Sequence, residues 1–91
     1  MTIRWTTAAR DLESVHDYIA QDNEDAAIAT VERILAGIET LSRHPQLGRK
    51  GRVSGTRELV MPPYVAAYRV AKGAVEIYSI LHSARRWPDR F

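Results

Sequence analysis

GTRELVMPPYVAAYRVAKGAVEIYSILH, residues 55–82, reads as three consecutive antiparallel strands, and the rest of the chain is arranged around it. Tyr64–Val70 and Ala74–Leu81 are rich in Val, Ile, Tyr and Ala. Between them Ala71-Lys72-Gly73 suits a tight hairpin, because glycine accepts the backbone angles such a turn requires. In the later strand Val75, Ile77, Ser79 and Leu81 alternate with Glu76, Tyr78, Ile80 and His82. Both sets contain apolar residues, so this strand is expected to be central and covered on much of both faces. Gly55–Met61 supplies the third strand, with Arg57, Leu59 and Met61 on one face and Glu58 and Val60 on the other. Pro62-Pro63 then removes two ladder donors and forces a turn. Arg69, His82, Arg85 and Arg86 are expected to gather near the sheet and its exit, followed by Trp87.

Upstream, Ile3-Arg4-Trp5 reads as a short edge strand whose Trp5 packs on the core, and Thr6 or Thr7 is placed to cap a helix. Ala8, Leu12, Val15 and Ile19 recur at helical spacing with Tyr18 beside them, which predicts a first helix over residues 8–21. Asp22-Asn23-Glu24-Asp25 breaks it and caps the next. Ala27, Ile28, Val31, Ile34, Leu35, Ile38 and Leu41 form a wide apolar stripe over residues 25–43, and Pro45 disfavours helix at His44. Two amphipathic helices joined by a short turn make an antiparallel hairpin. The expected fold is therefore α+β and a single domain over residues 1–91. An N-terminal helical hairpin packs on one face of a small antiparallel sheet, in the order β-α-α-β-β-β.

Composition bounds the function. An apolar fraction of 45% with 26% charged residues excludes a disordered chain, and no apolar run is long enough for a membrane span. The start, MTIRWTTAARDLE, lacks the apolar core of a secretory signal, and zero cysteines exclude a disulfide framework. Both features fit the cytoplasm. Charge is polarised along the chain. Residues 1–47 carry four Arg against eight Asp and Glu, net −4, whereas residues 48–91 carry nine Arg and Lys against three acids, net +6. The second half is expected to meet something anionic, a nucleic acid or an acidic protein segment.

No metal or cofactor is expected. His16, His44 and His82 fall on a helix, a loop and a strand end, without ligand spacing. There is no GxSxG for a nucleophile elbow, and Gly48-Arg49-Lys50-Gly51-Arg52 lacks the spacing of a phosphate-binding P-loop. RNA cleavage by attack of the 2′-OH would need a base, a cation for the oxyanion and an acid for the leaving oxygen. His82, Glu58, Arg57, Arg69 and Arg85 are the catalytic candidates for that chemistry. The bland alternative is a histidine bonded to backbone at the sheet end and a solvated or partner-binding arginine tail.

The chain resembles toxins of the ParE/RelE superfamily from bacterial type II toxin–antitoxin modules, over nearly all of its length. The resemblance is carried by Ile3-Arg4-Trp5 with Ala9-Arg10-Asp11-Leu12, Tyr18-Ile19, Ile38–Leu41 with Pro45 and Gly48, Gly55-Thr56-Arg57-Glu58-Leu59, Tyr64–Val70, and Ile80-Leu81-His82 running into Ala84-Arg85-Arg86-Trp87-Pro88. RelE-like members are ribosome-dependent messenger RNA endonucleases with an Arg just after the first tyrosine of the third strand. Here that place is Val65, and the tail ends in Phe91, which transfers no proton. An apolar residue there is similar to ParE-like members, which the resemblance implies act by binding DNA gyrase. It implies a target-binding set of Arg57, His82, Arg85, Arg86 and Trp87. It also implies a cognate ParD-like antitoxin with an acidic C-terminal segment, meeting Leu12, Val15, Ile19 and Arg69 in a toxin–antitoxin hetero-oligomer.

Overall fold

The computed structural model describes residues 1–84 and 87–91. The chain runs β1 (Thr2–Trp5), α1 (Ala8–Ala20), α2 (Glu24–Thr40), β2 (Arg49–Lys50), β3 (Arg57–Met61), β4 (Tyr64–Ala71) and β5 (Ala74–His82). The strands form one sheet in the order β1-β5-β4-β3-β2. The helical hairpin and the three antiparallel strands of residues 55–82 lie as the sequence indicates. Two features go beyond it. β1 joins β5 in parallel, with Ile3 opposite Val75, and a two-residue β2 extends the other edge.

Local chemistry explains the boundaries. Asn23 caps α2 by accepting from the Ala26 N–H at 3.0 Å. The helix stops at Thr40, ahead of Pro45, because Leu41, Ser42 and Arg43 each bond three residues back and tighten the last turn. At the N-terminus of α1 neither threonine caps through its side chain. Thr6 instead donates its hydroxyl to the Ile77 carbonyl at 2.8 Å, tying the β1–α1 corner to β5. The β4–β5 hairpin turns through Lys72 (φ 54°) and Gly73 (φ 74°), whose shared left-handed backbone matches the twist of the flanking strands.

The core lies between the helices and the inner face of the sheet. Ile34 and Ile38 of α2, Leu41 just after it and Val15 of α1 meet Tyr64, Tyr68, Val75, Ile77 and Ile80. Each fully buried aliphatic side chain contributes about 1.5–3 kcal/mol of transfer free energy. The register of β4 against β5 slips once: Ala67 faces Ser79 but Tyr68 faces Ile77, leaving Tyr78 as a bulge. Alternation therefore does not run unbroken through β5. Ile80 and His82 share the inner face with Val75 and Ile77, not the face of Glu76 and Tyr78 that simple period-two counting assigns. The outer face has its own cover. Val65 and Ala67 are buried there, while Phe91 stacks on Tyr78 at 5.7 Å and Arg52 lies 3.8 Å over Trp87.

Candidate functional site

A cleft of about 640 Å³ opens between α1 and the β4–β5 end of the sheet. From α1 it receives Asp11, Ser14, Val15 and Tyr18, and from the sheet Tyr64, Ile80 and His82. The strand register puts His82 directly opposite Tyr64, and their rings meet edge to face at 5.6 Å. Nδ1 of His82 accepts from the Ala84 N–H at 3.1 Å, so the neutral ring carries its proton on Nε2. Asp11 accepts from the Ser79 hydroxyl at 2.7 Å and the Ile80 N–H at 3.0 Å, both through Oδ2. That clamp holds α1 against β5 and fixes the acid at the cleft floor. Asp11 also lies in the first turn of α1, where an acid favours the helix dipole, and its tie to a strand 68 residues away leaves no local signal in the sequence.

Among the described residues, those expected to cluster are dispersed. Arg57 sits opposite Tyr68 and His82 opposite Tyr64, on the same face but separated by four residues of β4, about 13 Å at strand rise. Arg57 donates to the Gly48 carbonyl at 2.8 Å and so holds the α2–β2 loop. Arg69 is on the opposite face of the sheet from His82, paired with Glu76 at 3.0 Å. Trp87 also lies on that outer side, under Arg52. Arg85 and Arg86 lie outside the described residues. Of the antitoxin-facing set, Val15 is buried but lines the cleft, and Leu12 and Ile19 pack half-buried against the core. Arg69 is across the sheet from all three.

Among the described residues, two carboxylates pair three cations of the basic half, Arg49, Arg52 and Arg69. Glu58 is 2% exposed on the outer face. Arg49 reaches it at 2.9 Å, and Arg52 through Nε at 3.1 Å and backbone N–H at 2.8 Å. Burial alone would raise the Glu58 pKa, but the Arg52 and Arg49 bonds outweigh it and hold the carboxyl below its ordinary range. Glu76 is likewise held low, chiefly by Arg69, with Tyr78 and Arg4 assisting. Among the described residues, Arg49, Arg52 and Arg69 on the outer face are thus held in ion pairs. Among the described residues no group of three or more His, Cys, Asp or Glu is placed to hold a metal ion, and no helix is long and apolar enough to cross a membrane.

A two-helix hairpin on a five-stranded sheet, with a cleft at the end of the central hairpin, defines a small toxin of the ParE/RelE type. The family described as "ParE toxin of type II toxin-antitoxin system, parDE" matches residues 3–87, and the chain belongs to it. It is 42% identical to Y4kP of Sinorhizobium fredii, over 96% of this chain and 93% of that protein. It is 38% identical to Toxin RelE2 of Caulobacter vibrioides, over 89% and 93% respectively. Among solved structures, a chain of the chromosomal ParDE toxin–antitoxin system from P. aeruginosa superposes with a TM-score of 0.82 at 28% identity, covering 90% of this chain and 95% of that one. The protein is the toxin component of a type II module, and its family implies an antitoxin partner.

Proposed function

We propose that this toxin acts in the cytoplasm by binding DNA gyrase, without a nuclease site of its own, and that a ParD-like antitoxin neutralises it. The observation that carries the reading is Val65. In the RNA-cleaving branch the corresponding place holds an arginine, whereas here the side chain is apolar and 1% exposed, buried in the outer face of the sheet. An arginine there would have to bury its charge or tear the cover away. The dispersal of Arg57, Arg69 and His82 supports the same reading, since general acid–base cleavage needs its groups within hydrogen-bond reach of one phosphodiester. A supercoiling assay with purified gyrase tests it. Inhibition with accumulation of cleaved DNA is expected, while full gyrase activity at concentrations that arrest growth would refute it.

The second reading, a ribosome-dependent messenger RNA endonuclease, draws on the 38% identity to a protein named Toxin RelE2. It requires cleavage of translated message that is lost on His82→Ala.

A further inference from the structure

The two edges of the sheet are unlike. At one, β2 is two residues long and both are cationic, Arg49 and Lys50, the kind of short, charged edge that discourages a further strand. At the other, β1 presents four residues, Thr2–Trp5, with no lysine, proline or bulge, and its one cation, Arg4, is paired with Glu76 at 3.2 Å. Among the described residues β5 is the one strand that pairs with β1. The register says which backbone groups are left over. The Thr6 N–H donates to the Ile77 carbonyl at 3.2 Å, so by alternation the N–H and C=O of Thr2 and Arg4 also turn towards β5. Those of Ile3 and Trp5 point the other way, out of the edge. Their side chains lie half-buried on the inner face against the core, while Arg4 lies on the outer face opposite Glu76.

We propose that β1 takes up the acidic segment of the antitoxin as a sixth strand, hydrogen-bonded to the N–H and C=O groups of Ile3 and Trp5. Alternation then fixes the pattern of that segment. Its residues over the inner face meet Ile3 and Trp5 and are apolar, and the residue between them meets Arg4 and is acidic. Charge favours this occupant, because Arg4 and Arg69 share the carboxylate of Glu76 and an added acid finds a guanidinium beside it. A second copy of this chain fits worse. The antiparallel register in which Ile3 and Trp5 of two copies pair with each other sets Arg4 against Arg4, and like charges directly opposite are destabilising. The inference rests on the antitoxin reading above and adds where its segment is held, by which backbone groups and in what side-chain order.

The test uses the full-length toxin and a probe peptide, N-acetyl-Ser-Val-Glu-Val-Glu-Ser-amide, followed by amide hydrogen exchange. The peptide should slow exchange at Ile3 and Trp5 about tenfold, the scale of one backbone hydrogen bond, while Lys50 at the other edge keeps its rate. A peptide with lysine in place of glutamate, and a fully N-methylated copy that keeps the charge but has no backbone donors, should protect neither amide. Arg4→Ala, which trims an exposed side chain, should weaken the acidic peptide about threefold, the worth of an exposed ion pair. Unchanged exchange at Ile3 and Trp5, whether or not the peptide binds elsewhere, would overturn the proposal, as would equal protection by the lysine peptide. Protection that grows with toxin concentration alone would also overturn it by giving the edge to a second copy. A cognate antitoxin that binds the toxin and leaves both amides exchanging freely would sink the added strand and spare the antitoxin reading. Peptide protection without antitoxin binding would do the reverse.

Discussion

The hydroxyl of Tyr68 makes two bonds to one loop: it accepts from the Gly48 N–H at 2.8 Å and donates to the Pro45 carbonyl at 2.8 Å. The site is closed, since a Cβ on Gly48 would come within 2.7 Å of the Tyr68 ring. Tyr68→Phe strands a buried donor and acceptor and should cost about 1–3 kcal/mol in urea unfolding. Tyr18→Phe, with its exposed ring, should stay within about 0.5 kcal/mol of the parent. Val65 gives a second residue-scale prediction. Val65→Arg should lower the unfolding midpoint sharply through an unpaired buried charge, and it should not create message cleavage on ribosomes. Glu58 gives a third, in pH. Its folded pKa lies below the ordinary 4.5, so its contribution is fully present above that value and is lost as pH falls through the folded pKa. Stability should therefore decline below pH 4.5, and Glu58→Gln should flatten that part of the profile.

At the scale of elements, α1 and α2 are joined by a three-residue turn, 21–23, whose last member supplies the cap. Asn23→Ala should cost about 1 kcal/mol, read by chemical denaturation, because the Ala26 N–H loses its partner. His16 bridges the same turn, reaching Glu24 at 3.0 Å and Asp17 at 3.1 Å, and these bonds raise its pKa. The helices, their connection and all three later strands were legible in the sequence, because each rests on a local period or turn residue: Asn23, Pro62-Pro63, Lys72-Gly73. β2 was not, since two residues have no period, and the parallel pairing of β1 is a long-range choice. The site was less legible for one physical reason. A bulge at Tyr78 inverts the facing of Ile80 and His82, and the sequence hint for it is only the three-residue step from Ile77 to Ile80 where two was expected. That inversion separates His82 from Arg69 and joins it to Tyr64, Tyr18 and Asp11.

At the scale of the molecule, a chain of 91 residues buries a modest core, for which a stability margin of roughly 5–10 kcal/mol is expected. Its two layers carry opposite charge, acidic in the helical hairpin and basic in the sheet half, so partners of either sign find a complementary side. An antitoxin that engages Leu12, Val15 and Ile19 as well as Arg69 must contact both layers, because Arg69 projects from the sheet face opposite the helices. Such a segment binds the folded toxin and has little to hold on the unfolded chain. Linkage then predicts a stabilisation of RT ln(1 + [L]/Kd), about 4 kcal/mol at a thousandfold excess over Kd, comparable with the toxin's own margin. The midpoint for toxin unfolding should climb with the logarithm of antitoxin concentration, without saturating once the site is full. Arg69→Ala, by removing the contact on one layer while Glu76 keeps Arg4, should shift that line to higher antitoxin concentration and leave its slope unchanged. A midpoint that ignores antitoxin concentration would mean the antitoxin grips the unfolded chain equally well, and an unshifted line in Arg69→Ala would confine the contact to the helical layer.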